Sequence, residues 1–219
     1  MGQLKKINRT TNSDEKETSR LEAFSDGIFA VAITLLALEI GIKEYEGATN
    51  SNLWQKILGS WPEYFSYFNS FATVLLIWMG HNKIFKQLRA ANQRIVLMNG
   101  LVLLVVVLFP FPTKTVGTFI GTDAENTAVA FYAGFTGSIT LTMLLLNLCI
   151  LQNKNLLLNP EKSIPWFKGM IKGQIIGVIS YGIITIFALY FSKIAIVMTF
   201  FMWVFWAIAT KDKDDDLIY

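Results

Sequence analysis

Two carboxylates in this chain sit where carboxylates are costly. Asp26 and Glu39 bracket the uncharged run Gly27–Leu38, inside the first long apolar stretch. As a helix that run rises about 18 Å, against a hydrocarbon core of about 30 Å. At least one of the two then lies at membrane depth. Ionisable groups there face a bundle interior or a water-filled path, and they serve ion or proton movement. Between them, Val31, Thr34, Leu35 and Leu38 follow an i, i+3, i+4, i+7 spacing and share one helix face. Thr34 supplies the one hydroxyl of that face. Such a stripe packs against a neighbouring helix or lines a pore, and spacing leaves both open. The helical wheel turns Asp26 about 140° away from Val31, into the surrounding bundle, and sets Glu39 near the outer mouth.

The one histidine, His81, closes the second apolar run in Trp78-Met79-Gly80-His81. Arg20 and Asp26 fall at a similar depth on the same side. A buried carboxylate needs partners, so Arg20, Asp26 and His81 are expected to cluster, either as structural pairing or as a proton relay or gate. Other chemistries lack their residues. There is no GxxxxGK, HExxH, GxSxG or CxxC pattern, so neither an enzyme nor a cofactor is expected. The potassium-filter sequence TVGYG and the arginine repeat of a voltage sensor are also missing. The single cysteine, Cys149, excludes an internal disulfide and a four-thiolate metal site. Asp212, Asp214, Asp215 and Asp216 read as a solvated acidic tail.

The elements that position these residues are membrane helices. The 219 residues are 53% hydrophobic and 16% charged, below the ~25% charge of soluble domains, and the charges cluster between apolar runs. Six spans are predicted, near 24–42, 62–79, 95–111, 128–151, 173–191 and 194–210. Strand alternation is absent, and backbone groups in lipid must bond within their own segment, so the spans are helical. Lys and Arg divide 15 to 4 between the two sides, which predicts cytoplasmic termini and a multi-pass protein of the cell membrane. No signal peptide is expected. Residues 1–19 form a cytoplasmic arm, 20–210 the transmembrane domain and 211–219 a cytoplasmic tail. The net charge of +3 lies beside the spans and gives no sign of a nucleic-acid partner. Ser51–Trp61 reads as a short amphipathic helix. Pro62 opens span two, Pro110 and Pro112 end span three, and Gly169, Gly173 and Gly177 form a small-residue packing stripe.

The opening of span one, Arg20-Leu21-Glu22-Ala23-Phe24-Ser25-Asp26 followed by Gly-Ile-Phe-Ala-Val-Ala-Ile-Thr, closely resembles the transmembrane protein 175 family, which includes the lysosomal potassium channel of animals. The likeness continues through Trp78-Met79-Gly80-His81 and Asn99…Pro110-Phe111-Pro112-Thr113. One six-span unit in place of two matches the bacterial branch. The resemblance implies an all-α homotetramer whose central pore is lined by the first helix. It also implies passive conduction of potassium with modest preference over sodium, through hydrophobic rings. Carried onto this chain, the rings are Val31, Leu35 and Leu38, with Thr34 between them contributing to selectivity. Val31 departs from the longer side chain expected there. Arg20, Ser25, Asp26 and His81 match the family's structural and gating cluster, and Glu39 stands at the pore mouth. The partners are then the bilayer, three further copies and monovalent cations, with permeant potassium the one metal. The competing readings are a proton-coupled transporter or proton-permeable channel using Arg20, Asp26 and His81, and a silent membrane scaffold.

Overall fold

A computed structural model describes residues 2–40 and 49–209, with side chains from Thr18 onward. The described chain is all-helical. Its α-helices are α1 (Gly2–Leu38), α2 (Leu53–Gly59), α3 (Trp61–Phe85), α4 (Gln93–Val107), α5 (Pro110–Phe119), α6 (Glu125–Gln152), α7 (Pro160–Ala188) and α8 (Ser192–Ala209). Five segments are long and apolar enough to cross a bilayer: Thr18–Leu38, Gln93–Phe119, Glu125–Gln152, Pro160–Ala188 and Ser192–Ala209. The backbone of residues 2–19, expected as an arm, continues α1 as one helix. The acidic tail 211–219 lies outside the described residues.

α3 has the length of a span, 25 residues, without the hydropathy of those five. Its polar side chains explain the difference, because they turn inward. Ser66, Asn69, Ser70, Thr73 and His81 are all buried. Asn69 Nδ2 donates to the Tyr132 hydroxyl at 2.9 Å, and Ser70 Oγ lies 3.1 Å from the same oxygen. Thr113 Oγ1 donates to Ser70 at 2.7 Å, and Trp203 Nε1 to Thr73 Oγ1 at 3.1 Å. Helices in lipid gain little from apolar contact with each other, so such bonds and close packing hold them together. α3 is thereby tied to α5, α6 and α8, and it also packs on α1.

The prolines act differently from their expected role. Pro110 and Pro112 do not end the third segment. α4 stops at Val107 and Pro110 opens α5 at its first turn, where a missing N–H costs nothing. Gln93–Phe119 is thus a broken span. The α7–α8 turn is Leu189–Phe191, and Ser192 opens α8, its Oγ donating to Glu125 Oε1 at 2.7 Å. α7 begins at Pro160, well before the predicted start at 173. The glycine stripe splits. A Cβ on Gly177 would come within 2.6 Å of Trp206 Cζ2, whereas Gly169 and Gly173 have open space around them. Of these three glycines, Gly177 alone packs closely against another described helix. α2 is a seven-residue helix with no buried residue, and Trp54 and Leu58 point outward.

Candidate functional site

α1 has two unlike faces. Ser25, Phe29, Ala32 and Leu36 recur at helical spacing and are 0%, 1%, 0% and 0% exposed against α3 and α4. Thr34 lies about 180° round the helix from Ser25 at 100° per residue. No helix of the described chain covers that side. Val31 is 51% exposed and Leu38 78%, Thr34 is exposed, and Leu35 on the flank is half-buried. The Thr34 hydroxyl donates to the Val31 carbonyl at 2.8 Å, inside its own helix. Its proton is therefore committed, which leaves the exposed oxygen as an acceptor.

The buried face is pinned by a polar chain. Ser25 Oγ donates to the Leu21 carbonyl at 2.8 Å, so toward Asn99 it can only accept. Asn99 Nδ2 donates to it at 2.9 Å. The amide must then turn its oxygen to His81 Nε2, 2.7 Å away, which makes that nitrogen the N–H donor. Ser25, Asn99 and His81 are each 1% exposed or less. The imidazole also stacks on Phe85, with ring centroids 4.6 Å apart, and tilts against Phe29 at 5.1 Å. One line of bonds thus joins α1, α4 and α3.

The expected Arg20–Asp26–His81 group is divided by this geometry. His81 pairs with Asn99. Asp26 does not point into the interior. It sits exposed on the flank of α1 and accepts from Trp78 Nε1 at 2.8 Å. The Arg20 side chain is exposed, and among the described residues no ion pair joins it to Asp26. Sequence reasoning gave Asn99 and Trp78 no role beyond the motif. Asn99 was detectable, because an amide inside the apolar run Ile95–Val107 is costly unless bonded.

At the other end of α1, Glu39 follows the last helical residue. Lys114 Nζ of α5 lies 2.9 Å from Glu39 Oε2. The pair borders a cleft of about 200 Å³ lined by Leu38, Glu39, Glu63, Ser66, Lys114 and Gly117. Leu38 and the ion pair therefore share one opening, where Lys114 neutralises the Glu39 charge. Among the described residues, no three His, Cys, Asp or Glu side chains converge as metal ligands.

Comparison with known proteins bears on the sequence and on the fold of the bundle. Residues 20–110 match the sequence profile of the family described as endosomal/lysosomal potassium channel TMEM175. A potassium channel of Chamaesiphon minutus is 37% identical over 55% of this chain and 60% of its own length. One from Streptomyces collinus is 36% identical over 53% and 56%. The endosomal/lysosomal proton channel TMEM175 of Bos taurus is 36% identical over 46% of this chain and 22% of its own. The matched sequence thus spans about 60% of the bacterial relatives and about a fifth of the animal one. Structural agreement reaches further. The crystal structure of a lysosomal potassium-selective channel TMEM175 homologue from Chamaesiphon minutus superposes with a TM-score of 0.80 at 26% identity, over 90% of this chain and all of that one. Residues 20–110 thus carry the sequence pattern of the TMEM175 family, and the helical bundle is the one seen in a TMEM175 homologue.

Proposed function

We propose that the chain is one subunit of a homotetrameric, potassium-permeable cation channel with α1 on the pore axis. The observation that carries this is the uncovered face of α1, with Val31, Thr34 and Leu38 exposed while the opposite face is locked by Ser25, Asn99 and His81. The potassium-channel names of the bacterial relatives support it. Each subunit crosses the membrane six times, α3 being the sixth crossing and shielded by its neighbours. Closed cyclic assembly sets one α1 from each subunit around the axis. Val31, Leu35 and Leu38 form hydrophobic rings that gate by dewetting, and Thr34 oxygens assist a partly dehydrated potassium ion, giving a modest preference over sodium. Glu39 stands at the mouth beside Lys114. Ser25 and His81 fix the inner end of α1 through Asn99, and Asp26 does so through Trp78, with Arg20 exposed about one and a half turns before Asp26. Both termini face the cytoplasm of a cell membrane, as the basic residues divide.

The test is ion flux from purified protein in liposomes, with potassium, sodium and protons compared in turn. Potassium flux above sodium, without saturation or dependence on a proton gradient, is expected. Coupling to that gradient would replace the channel by a transporter. A second reading, proton permeation, rests on the proton-channel names of the animal relatives and on the buried chain through His81. The same assay detects it as acidification in the absence of other cations.

A further inference from the structure

The loops at the His81 end are not free connectors. The α3–α4 and α6–α7 connections are zipped together. Arg89 N donates to the Leu156 carbonyl at 3.0 Å and Leu158 N to the Gln87 carbonyl at 2.9 Å, forming an antiparallel bridge at Leu88 and Leu157. Side chains reinforce it. Arg89 Nε donates to the Asn155 carbonyl at 3.0 Å, Asn92 Nδ2 to Asn153 Oδ1 at 3.0 Å, and Ser163 Oγ to Gln87 Oε1 at 2.8 Å. Leu88 and Leu157 are buried beneath the bridge.

This rigid plate is strongly cationic. Residues 83–94 and 153–172 hold eight Lys and Arg against the single acid Glu161. Glu22 of α1 interacts with Lys86 and offsets part of that charge. Arg89, Arg94, Lys154, Lys162 and Lys168 are all exposed. Lys154 immediately precedes Asn155, whose carbonyl accepts the Arg89 Nε bond, and Lys162 immediately precedes Ser163, which bonds to Gln87. With Nε committed, the terminal nitrogens of the Arg89 guanidinium are set to take a phosphate in a two-point contact.

Its height points to the membrane surface. α7 is 29 residues, about 43 Å, and exceeds a hydrocarbon core of about 30 Å. The stretch Gly173–Ala188 carries no charge, so the surplus length lies at the lysine-rich end. Leu158, 65% exposed on the plate, and the half-buried Trp166 suit the headgroup boundary rather than open water. A belt that merely set orientation would need basic residues but no fixed geometry.

The geometry points to a binding site for anionic phospholipid, with the headgroup phosphate held on the plate by Arg89, Lys154 and Lys162. Each basic residue near an anionic surface favours binding by about fivefold. Purified protein is reconstituted in phosphatidylcholine with spin-labelled phosphatidylglycerol or phosphatidylcholine, and the immobilised fraction of each is compared. The wild type is expected to prefer phosphatidylglycerol by about tenfold or more, and the preference should weaken between about 50 and 500 mM salt. The triple variant Arg89→Gln, Lys154→Gln, Lys162→Gln should fall below about twofold. Lys114→Gln, at the opposite end, should keep the wild-type ratio. A triple variant with the wild-type ratio, or a wild type without preference at low salt, overturns the site. Displacement of the spin-labelled lipid by millimolar inorganic phosphate would make it a free-anion site and overturn the lipid assignment. Should the triple variant fail to fold, the salt series on wild-type protein decides alone.

Discussion

The tie between α1 and the rest of the bundle rests on one amide, and Asn99→Leu measures it. The substitution keeps volume and apolar character but removes both bonds of the Ser25–Asn99–His81 line. The two ends suffer unequally. His81 Nε2 loses its acceptor in a site 1% exposed, and a buried unpaired donor costs about 1–3 kcal/mol. Ser25 still donates to the Leu21 carbonyl and loses only an accepted bond, about 1 kcal/mol. The sum is about 2–4 kcal/mol. At about 2–4 °C per kcal/mol for a chain of this size, the midpoint should fall by about 4–16 °C. The fraction of protein remaining at its native elution position after heating, measured by size-exclusion chromatography, reports it. Ser25→Ala should cost less, because it keeps the His81–Asn99 bond. An Asn99→Leu protein that melts within about 2 °C of wild type would refute the reasoning. So would a Ser25→Ala protein that melts lower than Asn99→Leu.

The other predictions address the two ends of the chain, the open face of α1, its mouth and the α7–α8 contact. Reporter fusions at Gly2 and Tyr219 should both report a cytoplasmic location, and a periplasmic signal from either would break the six-span topology. Leu35→Ala should leave assembly intact, raise conductance and lower discrimination between potassium and sodium, whereas a packing role predicts loss of assembly without added flux. Lys114→Gln removes the cation 2.9 Å from Glu39 and should raise potassium conductance at low ionic strength, with convergence on wild type at high salt. Gly177→Ala drives a Cβ to 2.6 Å from Trp206 and should cost about 1–3 kcal/mol, while Gly173→Ala, with open space around it, should be close to neutral in the same thermal assay.

Legibility in the sequence followed the physics of each signal. The apolar runs placed α6 within three residues at either end, because hydropathy decides where lipid begins. It placed the start of α7 poorly, since 160–172 is helical while rich in charge. The broken Gln93–Phe119 span was missed for a related reason. Proline was read as a stop, although at a first turn it opens a helix equally well. For the site, the carboxylates and the histidine stood out as charges at membrane depth, yet charge alone suggested the wrong pairs. Tertiary packing gave His81 to a neutral amide and Asp26 to an indole.

That exchange of partners bears on how α1 works. Had Asp26 been buried against Arg20 and His81, the inner end of the helix would rest on an ion cluster whose loss leaves uncompensated charge. Instead the buried contacts are neutral, and Asp26 stays at the exposed flank with its carboxylate on Trp78. A neutral line can lock the back of the helix without placing a fixed charge behind the open face. The potential along Val31, Thr34, Leu35 and Leu38 is then set by the ends of α1, by Asp26 on one side and the Glu39–Lys114 pair on the other. Between those ends the face offers only alkyl groups and one hydroxyl oxygen, so on the proposed pore it would oppose ion entry through dewetting rather than through repulsion. Under that proposal, gating on this helix requires a change in the width or wetting of that face, and the charged groups at its two ends govern how many cations arrive to attempt it.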